Sequence, residues 1–131
     1  MKMIIEVCPS EALDRLTILS IKTERISDPN KLKNITQQRD ALEKKCLEVL
    51  PQLPGLNELV EDLRATNIRL WDIEDEIRAC EKNKEFDDHF ISLARSVYQA
   101  NDYRSLVKRK IAELLGSSMM DEKSYTNYHE R

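Results

Sequence analysis

The stretch LNELVEDLRATNIRLWDIEDEIRAC, residues 56–80, decides the fold. Leu56, Leu59, Leu63, Thr66, Leu70, Ile73, Ile77 and Cys80 are spaced alternately three and four, with no Gly or Pro among them. That spacing keeps a narrow apolar stripe facing a partner helix over the whole stretch. A helix from about Leu56 to Lys82 at 1.5 Å per residue spans roughly 40 Å.

The flanks supply its neighbours. Upstream, Leu32, Ile35, Leu42, Cys46, Val49 and Leu50 repeat the spacing, with Arg39 standing where an apolar seam residue belongs. Pro51, Pro54 and Gly55 form the clearest turn in the chain, so the second and third helices are expected to fold back on each other as an antiparallel hairpin. Asp28-Pro29-Asn30 separates the second helix from a first one, opened by Pro9 and Ser10 and carrying Leu13, Leu16, Ile18, Leu19, Ile21 and Ile26. Glu11 and Asp14 suit the positive end of that helix, and Glu11 is spaced for an ion pair with Arg15. Downstream, Asn83, Lys84 and Glu85 loosen the pattern. Phe86, Phe90, Leu93, Ala94, Val97 and Tyr98 then predict a fourth helix, and Asn101-Asp102 reads as the cap of a fifth, which runs through Leu106, Val107, Ile111, Leu114 and Leu115 and stops at Gly116.

The expected fold is therefore all-α: a helical bundle of five helices built on a long antiparallel helical hairpin. Residues 1–131 form a single domain, with a short N-terminal extended arm or strand over residues 1–8 and a C-terminal tail over residues 117–131. The arm is β-branched-rich and too short for a helix, so it either packs as coil or pairs with a copy of itself. The tail has no apolar period, although Tyr125 and Tyr128 are suited to docking.

Composition agrees. Two Gly and four Pro leave little material for hairpins, and 34% charged residues with 5% aromatics suit long solvated helices. A net charge of −3 argues against nucleic acid as the main partner. The longest apolar run is Met3-Ile4-Ile5, so neither a transmembrane span nor a signal-peptide core is expected, and the compartment predicted is the cytoplasm. Cys8, Cys46 and Cys80 are odd in number, widely spaced and read as reduced; Cys46 and Cys80 fall on seam positions as small buried hydrophobes. A homodimer is expected, because the long third helix and the unpaired arm otherwise leave apolar surface in water.

Two polar groups are candidates for chemistry. On the third helix, Asn67, Arg69, Trp71, Asp72, Glu74, Asp75, Arg78 and Glu81 crowd together, and Asn67, Glu74 and Arg78 flank the seam where a side chain needs partners. Further on, Arg95, Tyr98, Arg104, Lys108, Arg109 and Lys110 make a basic run with interleaved tyrosines, a composition able to grip phosphate or carboxylate. A binding protein or small enzyme would use Arg95, Tyr98, Arg104 and Arg109 on the anion, Trp71 as a stacking face and Glu74 as a general base. The plainer alternative pairs those cations with acids on neighbouring helices. Glu58-x-x-Glu61 and Asp72-x-x-Asp75 echo the carboxylate pairs of helical pyrophosphatases, yet fourteen residues on one helix is roughly 21 Å, too far to share ions. Lys22, Arg39, Arg95 and Arg109 would be the grip of a chorismate-mutase-type bundle, but their spacing matches no signature. No metal site and no cofactor is predicted, and no nucleophile–base pair or phosphate loop occurs.

Ile4-Ile5-Glu6-Val7, Asp14-Arg15-Leu16-Thr17-Ile18-Leu19, Leu70-Trp71-Asp72-Ile73-Glu74-Asp75, Leu93-Ala94-Arg95-Ser96-Val97-Tyr98, Asn101-Asp102, Arg104, Lys108-Arg109 and Glu122-Lys123-Ser124-Tyr125 resemble a family of small, mostly bacterial proteins known only as a domain of unknown function. The resemblance spans nearly the whole chain. It implies an association with glycosyltransferase or surface-polysaccharide genes, implies no active-site residues, and places Glu122 to Tyr125 within the domain. The function expected is a helical interaction or scaffold protein, in the service of a carbohydrate-processing system. The alternative is a small all-α enzyme or binding protein for an anionic metabolite such as a nucleotide sugar.

Overall fold

A computed structural model describes residues 1–116 and 127–129. Four helices follow in order: α1 Pro9–Arg25, α2 Pro29–Val49, α3 Leu56–Asn83 and α4 Asp88–Leu114. No strand occurs among the described residues, and the N-terminal arm is neither helix nor strand.

Each boundary has a local cause. Pro9 occupies the first turn of α1, where its missing N–H costs nothing, and the Cys8 carbonyl accepts from Glu11 N at 2.9 Å. Asp28 caps α2, its Oδ1 accepting from Asn30 N at 2.9 Å and Lys31 N at 3.4 Å. Asp28→Ala strands those donors, and we expect it to cost about 1 kcal/mol in chemical denaturation. Gly55, at φ +88°, admits the left-handed turn before α3. Asp87 caps α4 through Phe90 N, and Gly116, at φ +67°, follows its end.

The third-helix seam is the buried face of α3: Leu56, Leu63, Thr66, Ile73 and Cys80 are buried, and Leu59, Leu70 and Ile77 are half-buried. Two expectations are corrected. The fourth and fifth helices are one helix, because Phe90, Leu93, Val97, Ala100, Arg104, Val107 and Ile111 hold a continuous three-four spacing through the supposed cap at Asn101-Asp102. The long antiparallel hairpin is also not α2 with α3: α3 packs along α4, while α2 packs on α1. The α2 seam is the poorer one, interrupted by Arg39, and Cys46 is its one buried residue.

The bundle is thus two hairpins, α1–α2 and α3–α4, joined through α1. All four helices meet in one core of Leu13, Cys46, Leu56, Leu63, Val107 and Ile111. Burial pushes the Cys46 thiol up, with the Glu43 charge adding to it. Cys80 is raised likewise by burial and by its acidic neighbours Glu85, Asp87 and Glu76. Among the described residues no helix is long and apolar enough to cross a membrane.

Candidate functional site

Where α1 crosses the α3–α4 hairpin, the core turns polar. Asp14 and Thr17, one turn apart on α1, are both buried, and Asn67 of α3 is buried beside them. Arg104 and Lys108, one turn apart on α4, complete the cluster. Arg104 sits there because it occupies a seam position between Ala100 and Val107.

The hydrogen bonds close on one another. Asp14 Oδ1 accepts from Asn67 Nδ2 at 2.9 Å and from Arg104 Nε at 3.0 Å. Arg104 Nη2 donates to Asp14 Oδ2, giving a two-pronged, charge-assisted grip on the carboxylate. Asn67 Nδ2 also donates to Thr17 Oγ1 at 2.8 Å, and that hydroxyl donates to the Asp14 carbonyl at 2.7 Å. Lys108 Nζ lies 2.6 Å from Glu11 Oε1 and 3.8 Å from Asp14 Oδ2. Glu11 therefore reaches across to α4, where the sequence suggested Arg15. Two acids face two cations, and no buried side-chain nitrogen or oxygen among the described residues lacks a partner. Such closure is what a charge needs in order to remain charged out of water.

A cleft of about 410 Å³ opens beside this cluster. Ile18, Ile21 and Leu70 give it an apolar floor, and Trp71, Glu74, Asp75 and Asn101 stand around it with Asn67 and Arg104. Of the candidate residues, Trp71, Glu74 and Arg104 come together here. Glu74 also pairs with Arg78 at 3.5 Å along α3.

Arg95, Tyr98 and Arg109 do not line the cleft. Arg109 pairs with Glu113 at 3.4 Å, one turn along α4, and Arg95 is exposed. Tyr98 stacks edge-on against Tyr128, ring centroids 5.1 Å apart, so the described end of the tail docks on α4. Burial and a hydrogen bond with Asp102 raise the Tyr128 phenol. The tail motif Glu122 to Tyr125 lies outside the described residues.

Outside the cleft, Arg39 pairs with its neighbour Asp40 and donates to Thr23. Further pairs tie α1 to α3, Arg25 with Asp72 and Arg64 with Glu24. On the α3–α4 face Tyr103 donates to Asp62, whose acceptance of that hydrogen bond raises the phenol. No group of three His, Cys, Asp or Glu side chains able to hold a metal ion occurs among the described residues.

Glu11, Asp14 and Thr17 are the members of the cluster that the sequence did not mark as site candidates. One signal for it was available, an arginine on an apolar seam, but the supposed break at Asn101 hid the register.

A family model matches residues 2–129, almost the entire chain. The chain belongs to DUF6165, a family of unknown function. The expectation of a domain of unknown function spanning nearly the whole chain is thereby established, and the ion cluster and the cleft both lie within the DUF6165 match. No curated protein and no solved structure matches the chain.

Proposed function

We propose that this DUF6165 chain is a helical interaction protein, a scaffold whose polar cluster holds its helices in register and whose apolar surface engages protein partners. The observation that carries this reading is the closure of the cluster. Arg104 and Lys108, the cations best placed to grip an anion, are engaged by Asp14 and Glu11. The cleft beside them has Glu74 and Asp75 on its wall, and their like charge opposes a phosphate or carboxylate.

Apolar surface, by contrast, is plentiful. Met1, Met3, Ile4, Ile5 and Val7 of the arm are exposed, and so are Leu47 and Val49 on α2. Such patches favour association. We take the first partner to be a second copy of the chain. The implied link to glycosyltransferase genes gives the scaffold its setting in a carbohydrate-processing system.

Thermal unfolding against nucleotides, nucleotide sugars, phosphosugars and divalent metals tests this reading. A bound ligand at a hundred times its dissociation constant adds about 2.7 kcal/mol, which is readily seen. We expect no compound to shift the melting temperature. A shift with any compound would overturn the proposal in favour of a metabolite-binding protein, and its loss in Glu74→Ala or Trp71→Ala would place the ligand in the cleft.

A further inference from the structure

The N-terminal arm has an internal order that the bundle does not use. Its odd positions, Met1, Met3, Ile5 and Val7, are all apolar, and its even positions are Lys2, Ile4 and Glu6. This is the two-residue alternation of a strand with one face to bury. Yet no backbone–backbone hydrogen bond among the described residues involves residues 1–7, and the apolar side chains are exposed. A segment outside any helix, with unmade backbone bonds and an alternating row of apolar side chains, is a template for another strand.

We infer that the arm pairs antiparallel with the same arm of a second copy, about a two-fold axis at Ile4. The inference rests on the interaction reading above and specifies its first partner. Charge complementarity fixes the register. Centred on Ile4, the antiparallel pair sets Lys2 opposite Glu6 of the second copy and Glu6 opposite its Lys2, two ion pairs from one symmetric contact. Met3 then faces Ile5, and Met1 faces Val7, so every odd side chain meets another apolar one. A parallel in-register pair would oppose Lys2 to Lys2 and Glu6 to Glu6, which is repulsive. A slip of one residue in the antiparallel pair would set the odd face against the even face, and a slip of two would lose both ion pairs.

The ribbon also has a floor. A groove of about 880 Å³ runs beside the arm between α1 and α2, with Met3, Ile4 and Val7 of the arm on one side and Ala12, Ile18 and Leu42 on the others. Two strands alone are marginal in water, and packing apolar side chains of the ribbon on this groove supplies the helical layer that such a ribbon needs.

Sedimentation of the full chain, with charge variants of the exposed arm, provides the test. The native chain is expected to be a dimer. Lys2→Glu and Glu6→Lys should each weaken it about tenfold, since each turns two attractive pairs into two repulsive ones. The double variant Lys2→Glu/Glu6→Lys should recover native affinity, and an equal mixture of the two single variants should form the heterodimer in preference to either homodimer. A monomer at all concentrations, or a dimer indifferent to both reversals, would overturn the arm pairing. The ligand panel decides the interaction reading separately, so the two failures are distinguishable.

Discussion

Asp14→Ala lowers the stability of the fold by about 3–5 kcal/mol, a large share of the 5–15 kcal/mol that holds a typical domain together. The side chain removed is small; the cost lies in what it leaves behind. Arg104 loses both of its contacts to that carboxylate, Asn67 loses one of its two, and Lys108 keeps only Glu11. Removing a buried carboxylate that accepts from Asn67 and Arg104 breaks the charge-assisted bonds joining three helices, and that is the expensive outcome. Arg104→Met should cost less, because Asp14 then retains Asn67 and the nearby Lys108, and the methionine suits a seam position between Ala100 and Val107. The double variant Asp14→Ala/Arg104→Met should be more stable than the sum of the single losses predicts, since both single changes remove the same Asp14–Arg104 contact. Urea unfolding at constant slope measures all three. An Asp14→Ala chain within about 1 kcal/mol of native stability would mean that the cluster does not hold the three helices in register.

The sequence reveals helix faces well and helix partners poorly, for one physical reason. A three-four seam records that a stripe is buried, and α3 buries the stripe its leucines and isoleucines mark. The seam does not say against what, and a turn containing Pro51, Pro54 and Gly55 is compatible both with fold-back on α2 and with departure toward α4. The choice rests on the quality of the two seams: each carries an arginine, but Arg39 pairs with its own neighbour Asp40, whereas Arg104 is held by Asp14 of α1 on a seam where Ala100, Val107 and Ile111 are almost wholly buried. The merged helix has a similar explanation. Asn101 and Asp102 favour caps by about 1 kcal/mol, an amount that burying Ala100, Val107 and Ile111 on one face exceeds. Asp14 was the least legible residue. Alone on α1 it reads as a charge complementing the helix dipole, and its burial appears only when α3 and α4 bring Asn67 and Arg104 to it.

Leu63→Ala is the second large effect, a loss of about 2–5 kcal/mol. Leu63 is completely buried in the core that all four helices share, so truncation leaves a cavity with walls on two hairpins rather than a gap one helix can close. Its loss weakens the joint between α1–α2 and α3–α4, and the whole unfolding transition should shift as one. Leu93→Ala, on the same hairpin but outside that shared core, tests the point. Its cost should fall at the low end of the range and should accelerate amide exchange chiefly around Cys80 and Leu93, leaving the slowest amides near Leu63 and Ile111 unchanged. Equal effects of the two truncations on those slowest amides would mean that the α3–α4 hairpin opens only as a whole, and that the core around Leu63 is not the joint between the hairpins.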